Sequence, residues 1–193
     1  MASTSFRDYI MAVERVERRL REVTGALESA GIPYAVIGGN AVAAWVGRVD
    51  PSATRATRDV DLLVERRDLD RITKVMADLG FVREDLGSLV LFTDPEEPSR
   101  RAGVHLVWAG AKVRPSYSES APAVDEIVRD PSGFAVLDLP ALIRMKLTSF
   151  RDIDRVHIAD LFKVGLIDAG VRSALPEALQ ARLQQVESSI EPE

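Results

Sequence analysis

The 193-residue chain has no cysteine and only two histidines, His105 and His157. Without cysteine, disulfides and thiolate metal sites are excluded. Two imidazoles are also too few for a zinc site built on histidine alone. Long apolar runs are missing: none approaches the ~20 residues that span a bilayer. The N-terminal stretch MASTSFRDYI lacks a long apolar core, so no signal peptide is expected and the expected location is cytoplasmic. Positive charge is in deficit too. Lys and Arg number 25 against 30 Asp and Glu, a formal net charge of -5, which argues against a surface that wraps long nucleic acid. The glycine pair in GGNAVAAW has no G-x-G-x-x-G spacing and no following Lys-Ser/Thr. Dinucleotide-binding and P-loop readings therefore fail. There is no internal repeat and no low-complexity linker.

What is present fits a globular chain: 46% hydrophobic and 28% charged residues, at a length for one domain or a core with a small appendage. The arginines are unevenly placed. Arg48, Arg55 and Arg58 precede the pair Asp59 and Asp61, Arg66 and Arg67 follow it, and Arg100, Arg101 and Arg114 come later. Local arginine clusters in an acidic chain suit a small anionic ligand.

Ile10, Val13, Val16, Leu20, Val23 and Leu27 recur at threes and fours, which predicts an amphipathic helix ending at Gly31. PYAVIGG reads as a short buried strand. NAVAAWVG reads as a short buried helix with Asn40 near its cap. VDPSATRAT has the composition of an exposed loop. RDVDLLV is the next strand, with Val60, Leu62 and Val64 on one face and Asp59, Asp61 and Leu63 on the other. DLDRITKVMADLG predicts a helix capped by Asp68, its inner face Leu69, Ile72, Met76 and Leu79. SLVLFTD and GVHLVWAG are further strands about the turn PEEPSRRA, and from Leu139 onward the pattern is helical to a frayed tail SSIEPE. The expected fold is α/β of the α+β kind: a small mixed sheet with flanking helices and a helical C-terminal half. Residues 1–137 would form the core and 138–193 a helical segment packed on it, as one unit.

Two aspartates two residues apart on a strand project to one face, within reach of one divalent cation. Carboxylates suit Mg²⁺, which keeps waters and takes its remaining ligands from substrate phosphates. The glycines Gly38 and Gly39 before a helix let backbone amides approach a phosphate, and nearby arginines neutralise further charge. Glycines for phosphate, carboxylates for metal and arginines for charge together describe a nucleotide site. Each piece alone has a plainer reading as solvated surface or turn.

The combination VIGGNAVAAWVG…TRDVDLLV resembles the signature of the nucleotidyltransferase superfamily, the DNA polymerase β-like fold, and looks most like its minimal bacterial and abortive-infection toxin branch. LPALIRMKLTSFRDIDRVHIADLFKVGLI is similar to that branch's helical segment, so the resemblance runs from the first helix to Leu166. It implies that Gly38 and Gly39, with Asn40 and Arg58 beside them, bind the nucleotide. It further implies that Asp59 and Asp61 hold Mg²⁺ (or Mn²⁺) and that Lys146 reaches a phosphate. Arg151, Asp152 and Asp160 match the later helical motif, although SFRD also has the form of a capping box that would give Asp152 a helix-initiating role.

One position departs from the pattern. Where active members carry a third carboxylate, GVHLVWAG has His105. Histidine can ligate or act as a base, but it brings no negative charge and favours softer ions such as Mn²⁺. His105 would thus substitute as catalytic base or ligand, or the site binds nucleotide without transferring it, or Asp94 supplies the missing oxygen. His157, three residues before Asp160, would pair with that carboxylate. Trp45 and Trp108 fit core packing better than base stacking, and Lys112, Arg114 and Tyr117 form a loop on the acceptor or nucleotide side. The expected activity is metal-dependent transfer of a nucleoside monophosphate from an NTP to an acceptor hydroxyl on RNA, protein or a small molecule. The alternative is an impaired nucleotide-binding or protein-binding module with a partner protein, as in a toxin–antitoxin pair.

Overall fold

A capping box opens the first helix, α1 (Phe6–Ser29). Ser5 Oγ accepts from the Asp8 backbone N–H at 3.3 Å, and the Asp8 carboxylate accepts from the Ser5 N–H at 2.7 Å. Val16, Leu20, Val23 and Leu27 are buried on its inner stripe, and Gly31, at φ 62°, ends the element as its spacing predicts. The first turns of α1 stand clear of the core, so Ile10 is exposed and Val13 only half-buried. This is a computed structural model and describes residues 5–87 and 89–190. Residues 1–4, Ser88 of the expected strand SLVLFTD, and 191–193 of the expected frayed tail lie outside the described residues.

The chain continues through β1 (Tyr34–Ile37), α2 (Gly38–Gly47), β2 (Val60–Val64), α3 (Leu69–Asp78), β3 (Val82–Leu86), β4 (Leu89–Thr93) and β5 (Val104–Trp108). Two short strands follow, β6 (Ile127–Arg129) and β7 (Ala135–Leu137), then the helices α4 (Leu139–Ser149), α5 (Asp152–Lys163), α6 (Ala169–Ser173) and α7 (Glu177–Glu187). The seven strands form one mixed sheet in the order β3-β4-β5-β2-β1-β7-β6, which is the mixed α/β architecture the sequence implies. β1 and β2 run antiparallel, with α2 between them in sequence, whereas β2 and β5 run parallel. Strands covered on both faces read as nearly continuous apolar runs, and Val60, Leu62, Leu63 and Val64 are all fully buried. The single half-buried position of β2 is Asp61.

Four local expectations are corrected. β6 and β7 were not expected, because three-residue strands on either side of the Asp130–Gly133 turn are too short to show a period. Asn40 is not a cap: α2 begins at Gly38, and Asn40 lies inside its first turn, where its side-chain amide donates to the Asp59 carbonyl at 2.7 Å. Asp68 stands at the start of α3 but makes no capping bond. Its carboxylate instead accepts from Arg71 at 2.7 Å. Leu79 is 39% exposed, past the last turn of α3, and does not join Ile72 and Met76 in the core.

The C-terminal helices share that core. Asp138 caps α4 by accepting from the Ala141 N–H at 2.8 Å. α4 stops at Phe150, a non-glycine residue at φ 47°, and α5 begins two residues later. One hydrophobic cluster runs from Val16 on α1 through the sheet to Leu179, Leu183 and Val186 on α7. No helix among the described residues is long and apolar enough to cross a membrane.

Candidate active site

Sheet register assembles the first group of side chains. Asp61 on β2 lies opposite His105 on β5, and across the other ladder it faces Ile37, the last residue of β1. Asp59 precedes β2 and is held from two sides: Thr57 Oγ1 donates to its carboxylate at 2.8 Å, and Asn40 donates to its carbonyl. His105 Nδ1 stands 3.2 Å from Asp61 Oδ1 and 3.7 Å from Asp59 Oδ2. The three residues thus offer ligand atoms all within 4.8 Å of one another. The other ring nitrogen, Nε2, is 2.7 Å from the Arg100 carbonyl oxygen. A carbonyl only accepts, so Nε2 carries a proton and Nδ1 is the nitrogen left to face the carboxylates. A ring N–H donated to a backbone carbonyl is the usual support of a metal-ligating histidine. The imidazole's pKa is raised, chiefly by the Asp61 hydrogen bond and against the opposing effect of burial. Asp94 does not join the group. It lies beyond β4 and pairs with Arg19 at 3.6 Å, which removes it as a source of the missing oxygen.

Gly38 has a conformational requirement of its own. It sits at φ 68°, and a Cβ there would lie 2.0 Å from Asp61 Oδ2. Only glycine lets that carboxylate rest against the start of α2. At Gly39 a Cβ would meet Thr57 Oγ1 at 3.1 Å. The α2 N-terminus has no side-chain cap, so its first amides are free for an anion.

Two cavities meet at Asp61 and His105. The first, of about 690 Å³, runs past Gly39 and Thr57 and carries Arg55, Arg58, Arg100, Arg101, Lys146 and Arg151 against the two carboxylates Asp59 and Asp61. Its formal excess of four positive charges contrasts with a whole-chain charge of -5. Arg55 and Arg100 are ion-paired to Asp160 and Glu84. Arg58 and Arg101 make no ion pair among the described residues. The second cavity, of about 380 Å³, lies between α4 and the loop carrying Arg114, Tyr117 and Glu119, and Gly38 opens onto it. There Arg114, Lys146 and Arg151 balance Asp61, Glu119 and Asp154.

Lys146 is placed differently from a free phosphate-seeking lysine. It is 5% exposed, and its Nζ donates to Asp154 at 3.1 Å while the residue lines both cavities. Asp154, fully buried, also accepts from Arg151 Nε at 2.8 Å, Ser149 Oγ at 2.7 Å and the Arg151 backbone N–H at 3.2 Å. Burial alone would raise its pKa, but the Arg151 hydrogen bond and the Lys146 charge hold it well below the carboxylate range. The helix-initiating bond thus belongs to Asp154, and the capping-box reading of SFRD is off by two residues. Asp152 is exposed and pairs with Arg155. Asp160 does not bond His157. It takes Arg55 in a bidentate pair at 2.5 and 3.0 Å, which fastens the loop before β2 to α5. Burial, then the Lys146 charge, pushes His157 down to about 4, and its Nδ1 has no hydrogen-bond partner.

The remaining candidates divide. Arg114 and Tyr117 line the second cavity, whereas Trp45, Trp108 and Lys112 line neither cavity. Trp45 donates to the Leu137 carbonyl at 3.0 Å, and Arg66 lies over the buried Trp108 ring at 4.7 Å. Asp154 was missed. It shares a helix face with Ile158 and Leu161, at i+4 and i+7, and a carboxylate at an apolar-face position was the signal that it is buried and partnered.

A family model described as an uncharacterised nucleotidyltransferase matches residues 3–129. Among solved structures, the chain is similar to the lincosamide antibiotic adenylyltransferase LnuA bound to lincomycin. That match has a TM-score of 0.56 and 14% identity, over 77% of this chain and 97% of that one. It is also similar to ANT(2")-Ia in complex with adenylyl-2"-tobramycin, with a TM-score of 0.53 and 16% identity over 91% and 98%. At these identities the likeness is one of fold. No curated protein matches the chain.

Proposed function

Since the chain belongs to this family of nucleotidyltransferases, we propose that it transfers a nucleoside monophosphate from an NTP to an acceptor hydroxyl with the help of a divalent cation. The carrying observation is the convergence of Asp59, Asp61 and His105 on one point at the edge of a cavity with excess positive charge. In this reading Asp59 and Asp61 hold Mg²⁺ or Mn²⁺ with His105 Nδ1 as the third ligand. The donor set fits: two hard carboxylates and an imidazole already oriented by a carbonyl. When bound, the ion neutralises charge developing on the phosphoryl oxygens.

The triphosphate occupies the basic cavity, against Gly39 and the α2 N-terminus and beside Arg58 and Lys146, with Gly38 and Asn40 holding Asp61 and Asp59 in place. The acceptor enters from the second, charge-balanced cavity. Its oxygen attacks the α-phosphorus, the bond to the bridging oxygen of the β-phosphate breaks, and pyrophosphate leaves toward the arginines. The hydroxyl proton passes to one of the bases in the trio. Positioning and charge neutralisation supply most of the rate. Residues 1–137 contribute the trio, and 138–193 contribute Lys146 and Arg151. A volume of about 380 Å³ suits a small molecule or the terminal unit of a larger acceptor. The antibiotic acceptors named for the two solved structures support the small-molecule choice. Dependence on NTP fits a cytoplasmic reaction.

The second reading is a nucleotide-binding or protein-binding module, as in a toxin–antitoxin pair. It is favoured by one observation: an imidazole, which brings no negative charge, stands 3.2 Å from Asp61 where the family pattern has a third carboxylate. One experiment separates the two. Each α-labelled NTP is incubated with Mg²⁺ or Mn²⁺ and cell extract, wild type beside Asp59→Ala/Asp61→Ala. Aspartate-dependent label in an RNA, protein or small-molecule fraction supports transfer, and nucleotide bound without any label supports the module.

A further inference from the structure

The corner between α4 and α5 holds a fully buried carboxylate that the proposed chemistry does not touch. Asp154 receives Lys146 Nζ at 3.1 Å, Arg151 Nε and Nη2 at 2.8 and 3.2 Å, and Ser149 Oγ at 2.7 Å. Two of these partners, Lys146 and Arg151, line both cavities. Closing the helix corner needs only one acceptor at the third helical position, for the Arg151 N–H. Burying a carboxylate with two cations is costlier than an apolar corner of the same volume. The feature that a plain corner leaves unexplained is that both cations face the junction of the cavities.

We propose that Asp154 is a positioning residue: it locks the Lys146 ammonium and the Arg151 guanidinium in one arrangement at the cavity junction, where they meet the triphosphate. Two long side chains free in solvent would each lose rotamer freedom on binding. Asp154 fixes them beforehand, and the triad keeps one net positive charge directed at the ligand. The phosphates then displace no partner, because Arg151 is 57% exposed while its bond to Asp154 persists.

This role rests on the nucleotidyltransferase reading, and its test separates the two. ATP affinity with Mn²⁺ is measured by calorimetry for wild type, Asp154→Asn, Lys146→Met/Arg151→Gln and the combined variant. The expected result is a rise in Kd on the order of 10- to 100-fold for Asp154→Asn, and no further rise when Asp154→Asn is added to the double variant. Ser149→Ala, which weakens the corner but spares both cations, should lower Tm and leave Kd unchanged. Additive losses, or equal Kd changes in Ser149→Ala and Asp154→Asn, would overturn the positioning role while leaving the family reading intact. Absence of ATP binding to wild type would overturn both. If Asp154→Asn does not fold, Asp154→Glu keeps the charge, moves it by one methylene and carries the same comparison.

Discussion

The strand-borne trio and the helix corner face each other across one junction, yet they are built on opposite principles. Asp59, Asp61 and His105 are partly open to solvent, with side-chain exposures of 35, 27 and 18%, and the β2–β5 ladder sets the separation of Asp61 and His105. Asp154 and Lys146 are almost wholly enclosed, at 0 and 6%, and they are set by mutual charge. The first group can be removed at small cost to folding because little packs on it. The second cannot, because an ion left unpaired in the interior is expensive. Function is expected to fail alone at the trio and together with stability at the corner.

The largest effect should come from Asp61→Ala, which we predict lowers nucleotidyl transfer by about 10³-fold or more with little change in the urea midpoint. A large loss of stability would erase the contrast between the two regions. Next is Asp154→Ala, predicted to lower unfolding free energy by about 3–5 kcal/mol, read from urea titrations. A loss below about 1 kcal/mol would show the corner to be as dispensable as surface pairs. Gly38→Ala lies between the regions. Its Cβ would need the space of the Asp61 carboxylate, and φ 68° strains any side chain, so stability should fall by about 1–3 kcal/mol and activity with it. An active, stable Gly38→Ala would mean that Asp61 does not need its seat against α2.

A smaller effect is expected in the pH profile. His157 faces Lys146 on α4, Arg55 on the loop before β2, and Asp154 and Asp160 on its own helix. Its folded pKa, about 4, lies below its ordinary 6.5, so between these values the unfolded chain binds the extra proton. Stability from this group is complete above pH 6.5 and declines toward pH 4, below which Asp154 takes over, because its carboxyl is held low in the folded chain while the unfolded chain binds the proton. His157→Gln should flatten the slope between pH 6.5 and 4, and an unchanged slope would show that His157 titrates normally. Smallest is His105→Asp, predicted to raise Mg²⁺-supported activity a few-fold relative to Mn²⁺. A neutral or harmful outcome would mark His105 as something other than a weakened metal ligand.

Legibility in sequence followed the same division. The alternation of RDVDLLV placed Asp59 and Asp61 toward one ligand without knowledge of β5, because a strand's period is two. His105 could be matched to them only through the family resemblance, whose third carboxylate lies between apolar residues on a neighbouring strand. The corner was legible only in part: Asp152 and Asp154 look alike as helix starters in RDID, and only the spacing of Asp154 to Ile158 and Leu161 marks it as the inward one. His157 and Asp160 are three apart on a helix, which invites pairing, but a distant arginine from the loop before β2 takes the carboxylate instead. Strands β6 and β7 escaped because three residues cannot display a rhythm.

The Arg55–Asp160 pair bears on inheritance. The family model ends at residue 129, so one partner lies within the shared portion and the other beyond it. Replacing Asp160 in the helical segment would leave the trio in place but remove that fastening, and with it the bidentate anchor of the loop carrying Arg58. Charge reversal at position 55 is therefore expected to be offset by the reciprocal reversal at position 160.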